Sequence, residues 1–386
     1  MDSFRSLGVD ERIVVALEAA GAVHPFPVQS LTIPDALAGK DVGGKAKTGS
    51  GKTIAFAVPI VQRVKAGAKP GRPHALVLVP TRELAAQVHA TVDSLASAVG
   101  LQTLAAYGGT PLPPQIKALR SGVDVVVATP GRLVDLVEQG EIDLSSLTMV
   151  VVDEADRMAD MGFLPPVEWL LRRATAPHQT LLFSATLDGD VKHLTRHYMK
   201  DPVLREVEET QVTVESMAHA FLAVHHMDKA RVVASIAAGG ERTMVFCGTK
   251  RGADRTARDL KDLGVRVGAI HGDLRQQARE RALAQFAAGR VPVLVCTDVA
   301  ARGLHIEGVD IVVHYDPPAD HKEYLHRSGR TARAGAAGTA VSLWEYNQHY
   351  DAQRIQKTLG IEAPLVEVFS NDPRLRDLGS LVTVPA

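Results

Sequence analysis

The sequence predicts an α/β protein made of two tandem doubly wound domains, each with a mainly parallel sheet flanked by helices. Three observations predict this fold. The chain has 386 residues, more than a single hydrophobic core usually contains. Short runs that are apolar at nearly every position alternate with stretches of helical periodicity. This series of runs stops at a polar, charge-rich segment, 201–210, and then begins again.

The apolar runs are the predicted strands, because runs without polar alternation are typical of parallel sheets that helices cover on both faces. They lie at 75–79, 124–129, 148–153, 180–186, 243–247, 291–298, 310–316 and 338–344. Helical periodicity fills the intervals between them, as at 82–99 and 277–289. We therefore predict a first domain at 1–206, a linker at 207–212 and a second domain at 213–386, with ligands at the carboxyl ends of the strands.

Composition excludes several classes of protein. Hydrophobic residues make up 46% of the chain and charged residues 23%, which is typical of a packed domain and not of a disordered chain. No apolar run reaches the ~18 residues of a membrane span, and the N-terminus has no signal-peptide core. We therefore expect a cytoplasmic protein without a membrane partner. Cys247 and Cys296 stand in apolar runs, where we expect reduced core residues.

The segment AKTGSGKT at 46–53 predicts a phosphate-binding loop at the start of a helix. Its glycines let backbone N–H groups approach phosphate oxygens, Lys52 can reach the β- and γ-phosphates, and the Thr53 hydroxyl can hold Mg²⁺. The first glycine of the general pattern is Ala46 here, and the preceding strand contains two glycines. The alternative is an ordinary glycine-rich turn before a helix.

The segment VVVDEADRM at 150–158 favours the nucleotide site, because its carboxylates follow an apolar strand. Asp153 suits a water-mediated contact with Mg²⁺, and Glu154 suits the orientation and deprotonation of an attacking water. Alternatively, the carboxylates cap the helix that begins after Ala155. That alternative suits Asp156 alone better than the whole cluster.

The ordered motifs resemble those of the DEAD-box ATP-dependent RNA helicases of superfamily 2, from Phe4 to about Trp344. The series reads AKTGSGKT, PTRELAAQ, GG, TPGR, DEAD, SAT, ARGLHI and HRSGRTAR. The resemblance implies two RecA-like domains that bind ATP and RNA between them. It also implies an RNA-stimulated, Mg²⁺-dependent ATPase that unwinds short RNA duplexes locally or remodels RNA–protein complexes.

By the same resemblance, GAVHPFPVQ is the adenine-recognition motif, in which Gln29 contacts the adenine edge and Phe4 stacks on the ring. The alternative for Phe4 is a core anchor of the first helix. Phe26 stands where the family usually has Thr or Ser. The implied nucleotide contacts are Phe4, Gln29, Thr48, Gly49, Ser50, Gly51, Lys52, Thr53, Asp153, Gly303 and His305.

The segment EYLHRSGRTARAG at 323–335 places several arginines in one short element. In isolation these arginines could be the solvated face of a helix. The resemblance instead implies that Arg330 and Arg333 act as arginine fingers on the γ-phosphate. It further implies a set of residues that couples the domains, namely Asp156, Ser184, Thr186, Arg302 and His326.

Three further segments, 80–87, 107–109 and 129–132, supply hydroxyls, arginines and glycine N–H groups, and no side chain that reads bases. Each alone could be a helix start, a turn or a surface charge. The net charge of −1 restricts nucleic-acid binding to a local groove, and an aromatic content of 4% argues against a surface that stacks many bases. The resemblance implies that RNA binds through Thr81, Arg82, Gly109, Thr129, Arg132, Thr249, Gln276, Arg279 and Thr297.

His305 stands where the family motif ARGxD has an aspartate. Metal ligation is disfavoured, because no other ligand residue lies at a suitable spacing. A neutral imidazole keeps one hydrogen bond, whereas a protonated ring adds a cation near Arg302, Arg330 and Arg333. We therefore expect weaker domain closure or a higher ATP demand, increasing at acid pH. The alternative is a tolerated surface residue.

The leading hypothesis is thus an ATP-dependent RNA helicase with ATP and Mg²⁺ as cofactors. The second is an ATP-gated RNA clamp or scaffold with weak turnover, which His305 favours. A DNA-directed translocase is disfavoured by the DEAD and HRSGRTAR motifs, and backbone and 2′-hydroxyl recognition favours RNA. We expect a bacterial-type minimal core that is monomeric, with partners in RNA decay or ribosome assembly; the sequence does not name the RNA.

Overall fold

The protein consists of two compact units, Met1–Glu208 and Glu209–Ala386. The computed structural model describes residues 2–46, 50–207, 217–301, 308–331 and 338–384. Each unit contains one seven-stranded sheet, and the strands of both sheets pair in parallel. Helices flank each sheet, which confirms the predicted fold class.

The first sheet has the strand order β3-β4-β2-β5-β6-β1-β7. Its strands are β1 (Val42–Lys45), β2 (Ala75–Leu78), β3 (Thr103–Ala106), β4 (Val125–Ala128), β5 (Met149–Asp153), β6 (Gln179–Ser184) and β7 (Val203–Glu206). The helices are α1 (Glu11–Ala19), α2 (Pro27–Leu37), α3 (Lys52–Arg63), α4 (Arg82–Ser97), α5 (Leu112–Ser121), α6 (Pro130–Glu138), α7 (Ala155–Asp160), α8 (Leu164–Leu171) and α9 (Gly189–Tyr198), with a 3₁₀ turn at Leu144–Ser146.

The central strands are apolar at every position because both faces of the sheet are covered. On β5, Val151 packs in a core with α1 to α4, whereas Val150 and Val152 pack in a second core with α5 to α9. All residues of β5 are buried. The unbroken apolar runs in the sequence therefore reflect two helix layers, as expected for a parallel sheet.

The second sheet has the order β10-β11-β9-β12-β13-β8-β14, which is the order of the first sheet when strands are counted from the start of each unit. Its strands are β8 (Ala218–Ala223), β9 (Thr243–Cys247), β10 (Val267–Ile270), β11 (Val293–Thr297), β12 (Ile311–His314), β13 (Thr339–Trp344) and β14 (Leu365–Glu367). The helices are α10 (Lys229–Ala237), α11 (Lys250–Asp262), α12 (Gln276–Ala287), α13 (Asp298–Ala301), α14 (His321–Ser328) and α15 (His349–Leu359), with 3₁₀ turns at Tyr346–Gln348, Pro373–Leu375 and Leu378–Ser380.

Cys247 and Cys296 are buried, unpaired core residues, as predicted. They belong to different hydrophobic clusters on the two sides of the second sheet. The longest described helix, α4, has 16 residues, and a membrane span needs ~20. Within the described ranges, no helix combines the length and apolarity needed to cross a bilayer.

The polar segment 201–210, at which the series of predicted strands stops, contains a further strand. Residues 203–206 form β7, which pairs with β1 at the edge of the first sheet. Alternate residues of β7 are exposed, so its sequence looks like a loop although its backbone is bonded as a strand. Apart from Val207, the linker predicted at 207–212 lies outside the described residues.

Candidate nucleotide and RNA sites

The predicted nucleotide motifs follow three neighbouring strands, β5, β6 and β1, at one edge of the first sheet. Parallel strands end at the same edge, and the register places Lys45 beside Ser184 and Asp153 beside Phe183. The Ala46 N–H donates to the Ser184 carbonyl over 2.9 Å. The start of the phosphate loop, the acidic motif and the SAT segment therefore lie side by side.

Gly51 and Lys52 form the described end of the phosphate loop. Gly51 has a φ of 87° and caps α3, and a Cβ there would lie 2.5 Å from Gln29 Nε2, so the position requires glycine. Lys52 is 6% exposed and donates its Nζ to the Ala46 carbonyl over 3.0 Å. Thr53 follows in the first turn of α3 and is half-buried. This helix N-terminus and its lysine have the groups needed to bind phosphate.

Asp153 and Glu154 end β5, and both are almost fully buried. The Glu154 N–H donates to Asp153 Oδ1 over 2.9 Å, and Glu154 has a φ of 52°, a strained conformation for a residue other than glycine. Burial raises the pKa of Asp153 to about 7; the Lys52 ammonium lowers it, and Glu154 raises it further. The Asp153 carboxyl group is thus protonated more readily than an aspartate in water.

The oxygen donors at this edge fit Mg²⁺. Thr53 offers a hydroxyl and Asp153 a carboxylate, and Mg²⁺ is typically held by one or two such groups together with phosphates and water. In the described part of the chain, no group of three or more His, Cys, Asp or Glu side chains could hold a metal by itself.

The acidic motif and the SAT segment are joined by hydrogen bonds. The Asp156 N–H donates to Ser184 Oγ over 3.2 Å, and Asp156 Oδ2 accepts the Ala185 N–H over 3.2 Å. The Thr186 N–H also donates to Ser184 Oγ, over 3.4 Å. Three of the predicted coupling residues thus form one network within the first unit.

Arg157 is a site residue that sequence reasoning missed. Its Nη1 lies 2.5 Å from Glu154 Oε2, with the two side chains 12% and 5% exposed. The signal in the sequence is its position three residues after Glu154, where a helix brings side chains together. Arg157 therefore holds the carboxylate that the motif assigns to the attacking water.

The adenine-recognition motif differs from its prediction. Phe4 is 1% exposed and packs in the hydrophobic core, so this structure contradicts a stacking role and favours the alternative of a core anchor. Gln29 is fully buried; its Oε1 accepts the Phe26 N–H and its Nε2 donates to the Gly51 carbonyl, each over 2.9 Å. The contact of Gln29 with an adenine edge stays a prediction, and here the amide joins α2 to the phosphate loop.

The predicted RNA-binding segments of the first unit follow β2, β3 and β4. These strands form the other half of the first sheet, and their carboxyl ends lie along the same edge as the nucleotide motifs. Thr81 caps α4, its Oγ1 accepting the Leu84 N–H over 3.3 Å, and Arg82 is exposed. The Arg82 guanidinium lies next to Gly108, and Gly109 is exposed with a φ of 81°. These segments present a guanidinium and loop backbone together.

Gln115 is the second residue that sequence reasoning missed. Arg132 donates from Nη1 to Gln115 Oε1 over 2.9 Å, and from Nη2 to the Thr110 carbonyl over 3.3 Å. Gln115 Nε2 in turn donates to Thr110 Oγ1 over 2.7 Å. Arg132 therefore ties the loop after β3 to α6, whose N-terminal Thr129 is nearly buried. The burial of Gln115 is visible only in the structure, so no local pattern in the sequence indicates this link.

In the second unit, the predicted RNA residues also follow three neighbouring strands, β10, β11 and β9. Thr249 caps α11, accepting the Gly252 N–H over 2.9 Å. Gln276 begins α12 with its Nε2 3.1 Å from Glu280 Oε1, and Arg279 lies one turn later. Thr297 is the nearly buried last residue of β11. The structure places this set along one half of the second edge.

The arginine element follows β12 on α14. Arg327 is 2% exposed, and its Nε and Nη2 donate to the Asp298 carboxylate over 2.7 and 2.8 Å. It also bonds Glu323 and the Asp316 carbonyl. A solvated helix face is therefore wrong for Arg327. Arg330 is nearly buried, whereas His326 is exposed.

Some predicted site residues cannot be placed. Thr48, Gly49, Arg302, Gly303, His305 and Arg333 lie outside the described residues. Ser50, beside them, is half-buried. The roles assigned to these positions stay predictions.

Comparison with known families and curated proteins identifies related chains. The family model for DEAD/DEAH box helicases matches residues 26–194, and the model for the helicase conserved C-terminal domain matches 228–335. The chain is 43% identical over 351 residues to the ATP-dependent RNA helicase RhlB of Xanthomonas axonopodis pv. citri, covering 88% of this chain and 62% of that one. It is 39% identical over 363 residues to the mitochondrial DEAD-box ATP-dependent RNA helicase 9 of Arabidopsis thaliana, covering 92% and 59%. The chain thus spans about three fifths of the length of these curated relatives.

Solved structures give the same result. The S. cerevisiae protein Dbp5, bound to RNA and ADP BeF3, matches with a TM-score of 0.83 and 28% identity over 98% of both chains. A DEAD box protein from the hyperthermophile Methanococcus jannaschii matches with a TM-score of 0.53 and 32% identity, over 95% of this chain and 99% of that one.

Proposed function

The chain belongs to the DEAD/DEAH box helicase family, and on that basis we propose that it is an RNA-stimulated, Mg²⁺-dependent ATPase. Its proposed action is to separate short RNA duplexes or to remodel RNA–protein complexes. One observation carries the proposal. At the carboxyl edge of the first sheet, the predicted phosphate loop follows β1 and the buried Asp153 and Glu154 lie at the end of β5. The hydroxyls, guanidinium and glycine predicted to contact RNA follow the neighbouring strands β2, β3 and β4.

In the proposed reaction, the N-terminus of α3 and Lys52 bind the phosphates of ATP. Thr53 and Asp153 would hold Mg²⁺, which when bound offsets the negative charge of the phosphates. Glu154, kept in place by Arg157, orients a water and accepts its proton as the water oxygen attacks the γ-phosphorus. ADP and inorganic phosphate are the products.

The second unit contributes cations in this proposal. Arg330 and Arg333 stabilise the charge on the γ-phosphate in the transition state. Arg327 acts as a positioning residue, because its bonds to Asp298 and Glu323 fix the end of α14, and Arg330 lies in the turn that follows this helix.

We propose RNA as the partner, bound through its backbone without sequence preference. The predicted contact residues are hydroxyls, arginines, a glutamine and a glycine, which suit phosphate and 2′-hydroxyl groups. We further propose a cytoplasmic, monomeric protein with partners in RNA decay or ribosome assembly.

Steady-state ATP hydrolysis with and without RNA tests the proposal, using the wild type, Glu154→Gln and the exposed Glu138→Gln as a matched control. We expect RNA to stimulate turnover in the wild type and the control, and Glu154→Gln to lower it by about 10²–10⁴-fold. A DNA strand of the same sequence should compete poorly. Equal stimulation by both strands would favour the DNA-directed translocase.

The second candidate function is an ATP-gated RNA clamp with weak turnover, and His305 in place of the family aspartate favours it. A clamp binds ATP and RNA together but hydrolyses ATP at the background rate. That result in the wild type would replace the helicase proposal with the clamp.

A further inference from the structure

The adenine-recognition motif contains one accessible aromatic ring, that of Phe26. Among the Phe, Tyr and Trp side chains of the first unit, all of which are described, only Phe26 is exposed, with 56% of its surface accessible. Phe4, which the resemblance assigned to stacking, is buried. The ring that can meet a ligand at this place is therefore not the one that the family pattern indicates.

Phe26 is held in place from several sides. Its N–H donates to Gln29 Oε1 over 2.9 Å, and Pro27 begins α2 directly after it. Its ring lies beside Gly51, where a Cβ would come within 2.8 Å of the Phe26 Cδ2 atom. Gly51 in turn accepts the Gln29 amide and caps α3. The ring is thus fixed next to the helix N-terminus that is proposed to bind phosphates.

Within the motif, the buried Gln29 positions its neighbours, whereas the exposed Phe26 ring can contact a base. The amide oxygen and nitrogen of Gln29 join Phe26 to Gly51, and none of the Gln29 surface is accessible. An exposed phenyl ring offers a π face, which binds any nucleobase by stacking. A base attached to phosphates on α3 would meet such a face at Phe26.

We propose that Phe26 forms the stacking surface for the base of the bound nucleotide, and that Gln29 is the positioning residue that holds this ring beside Gly51. The inference rests on the proposed function, because it concerns the same nucleotide site. It also accounts for a large apolar side chain at a position where the family usually has Thr or Ser.

The test is calorimetric titration of the full chain with ADP in the presence of Mg²⁺. Phe26→Leu keeps an apolar contact with Gly51 but removes the π face, whereas Phe26→Trp keeps a π face. Phe369→Ala is the matched control, because Phe369 is also 56% exposed and lies in the second unit. We expect Phe26→Leu to weaken ADP binding about tenfold, and the other two variants to bind ADP as the wild type does.

Inorganic pyrophosphate, which has no base, gives a second measurement. We expect its affinity to be the same in the wild type and in Phe26→Leu. Equal weakening of ADP and pyrophosphate would mean that Phe26 only packs against the loop, and would overturn the inference. Unchanged ADP binding in Phe26→Leu would also overturn it while leaving the proposed ATPase intact. A wild type that binds neither ligand would refute both the inference and the proposed function.

Discussion

The two units share one strand order but differ in the segments that come after equivalent strands. One half of each carboxyl edge is alike. After β2 and after β9, a threonine caps the next helix, Thr81 bonding the Leu84 N–H over 3.3 Å and Thr249 bonding the Gly252 N–H over 2.9 Å. The strands β4 and β11 are likewise followed or ended by a threonine, Thr129 or Thr297. The proposed RNA contacts are thus built from the same residue type twice.

The other half of each edge has diverged. In the first unit β5 ends at the buried Asp153 and β1 leads into the phosphate loop. In the second unit β12 leads to α14, which carries Arg327 and is followed by Arg330. One topology therefore supplies an acidic half, which we propose to hold Mg²⁺ with the nucleotide, and a cationic half. The sheet topology therefore determines where functional side chains lie, and the loops after the strands determine which side chains stand there.

The largest expected effect on activity follows from removing an arginine from the second unit. Arg330→Ala should lower RNA-stimulated kcat by about 10³-fold, because a lost arginine finger leaves transition-state charge unbalanced. Steady-state kinetics at saturating ATP and RNA measure this, with the exposed Arg255→Ala as control. A loss below tenfold would show that the cationic half does not serve hydrolysis.

Arg327 in the cationic half should also stabilise the fold, and the substitution Arg327→Met tests this role. Removing its guanidinium deprives Asp298 of a charged partner, and we expect the free energy of unfolding to fall by about 3 kcal/mol. Urea denaturation measures the change. Arg354→Met is the control, because the Arg354–Asp351 pair is 67% and 59% exposed and should contribute less than about 0.5 kcal/mol. Equal effects of the two substitutions would contradict the assignment.

The similar halves can be compared directly through their threonine caps. Thr81→Ala and Thr249→Ala should each lower the free energy of unfolding of its own unit by about 1 kcal/mol, because each leaves a helix N–H without its cap. Thr195→Ala is the control, since its hydroxyl bonds the Val191 carbonyl within α9. A neutral result for one cap alone would show that the two halves are not equivalent.

The smallest expected effect comes from His305, which the sequence places before the last residues leading into β12 and which lies outside the described residues. His305→Asp should raise RNA-stimulated turnover about threefold at pH 6 and less at pH 8, because an imidazole with a pKa near ~6.5 carries its charge only at the lower pH. Rate profiles from pH 6 to 8 measure this, with the exposed His349→Asp as control. Coincident profiles of the wild type and His305→Asp would refute the pH effect.

The sequence predicted the four central strands of each sheet but missed β8 and the edge strands β3, β7, β10 and β14. Strands covered on both faces are apolar at every position, whereas β7 and β14 are half-exposed and short. β1 has a different obstacle. A Cβ on Gly43 would lie 2.6 Å from Leu204, and one on Gly44 would lie 2.6 Å from Phe183. The two glycines of β1 therefore make room for side chains that are distant in the sequence.

The candidate site was predictable wherever one motif supplies both position and chemistry, as for Lys52 and Glu154. It was not predictable where a side chain depends on a partner far along the chain. Arg327 meets Asp298 across 29 positions, and no local pattern indicates that pair. Phe4 shows the reverse error, because a matching spacing cannot reveal that the ring is buried in the core.

The pairing of β7 with β1 has a mechanical consequence. Hydrogen bonds from the Val203 N–H to the Asp41 carbonyl and from the Val207 N–H to the Lys45 carbonyl tie the last strand of the first unit to the strand that precedes the phosphate loop. A tensile load applied to the chain after Val207 would act on these bonds in shear. The strand that precedes the phosphate loop is therefore bonded to the strand through which such a load would reach the first unit.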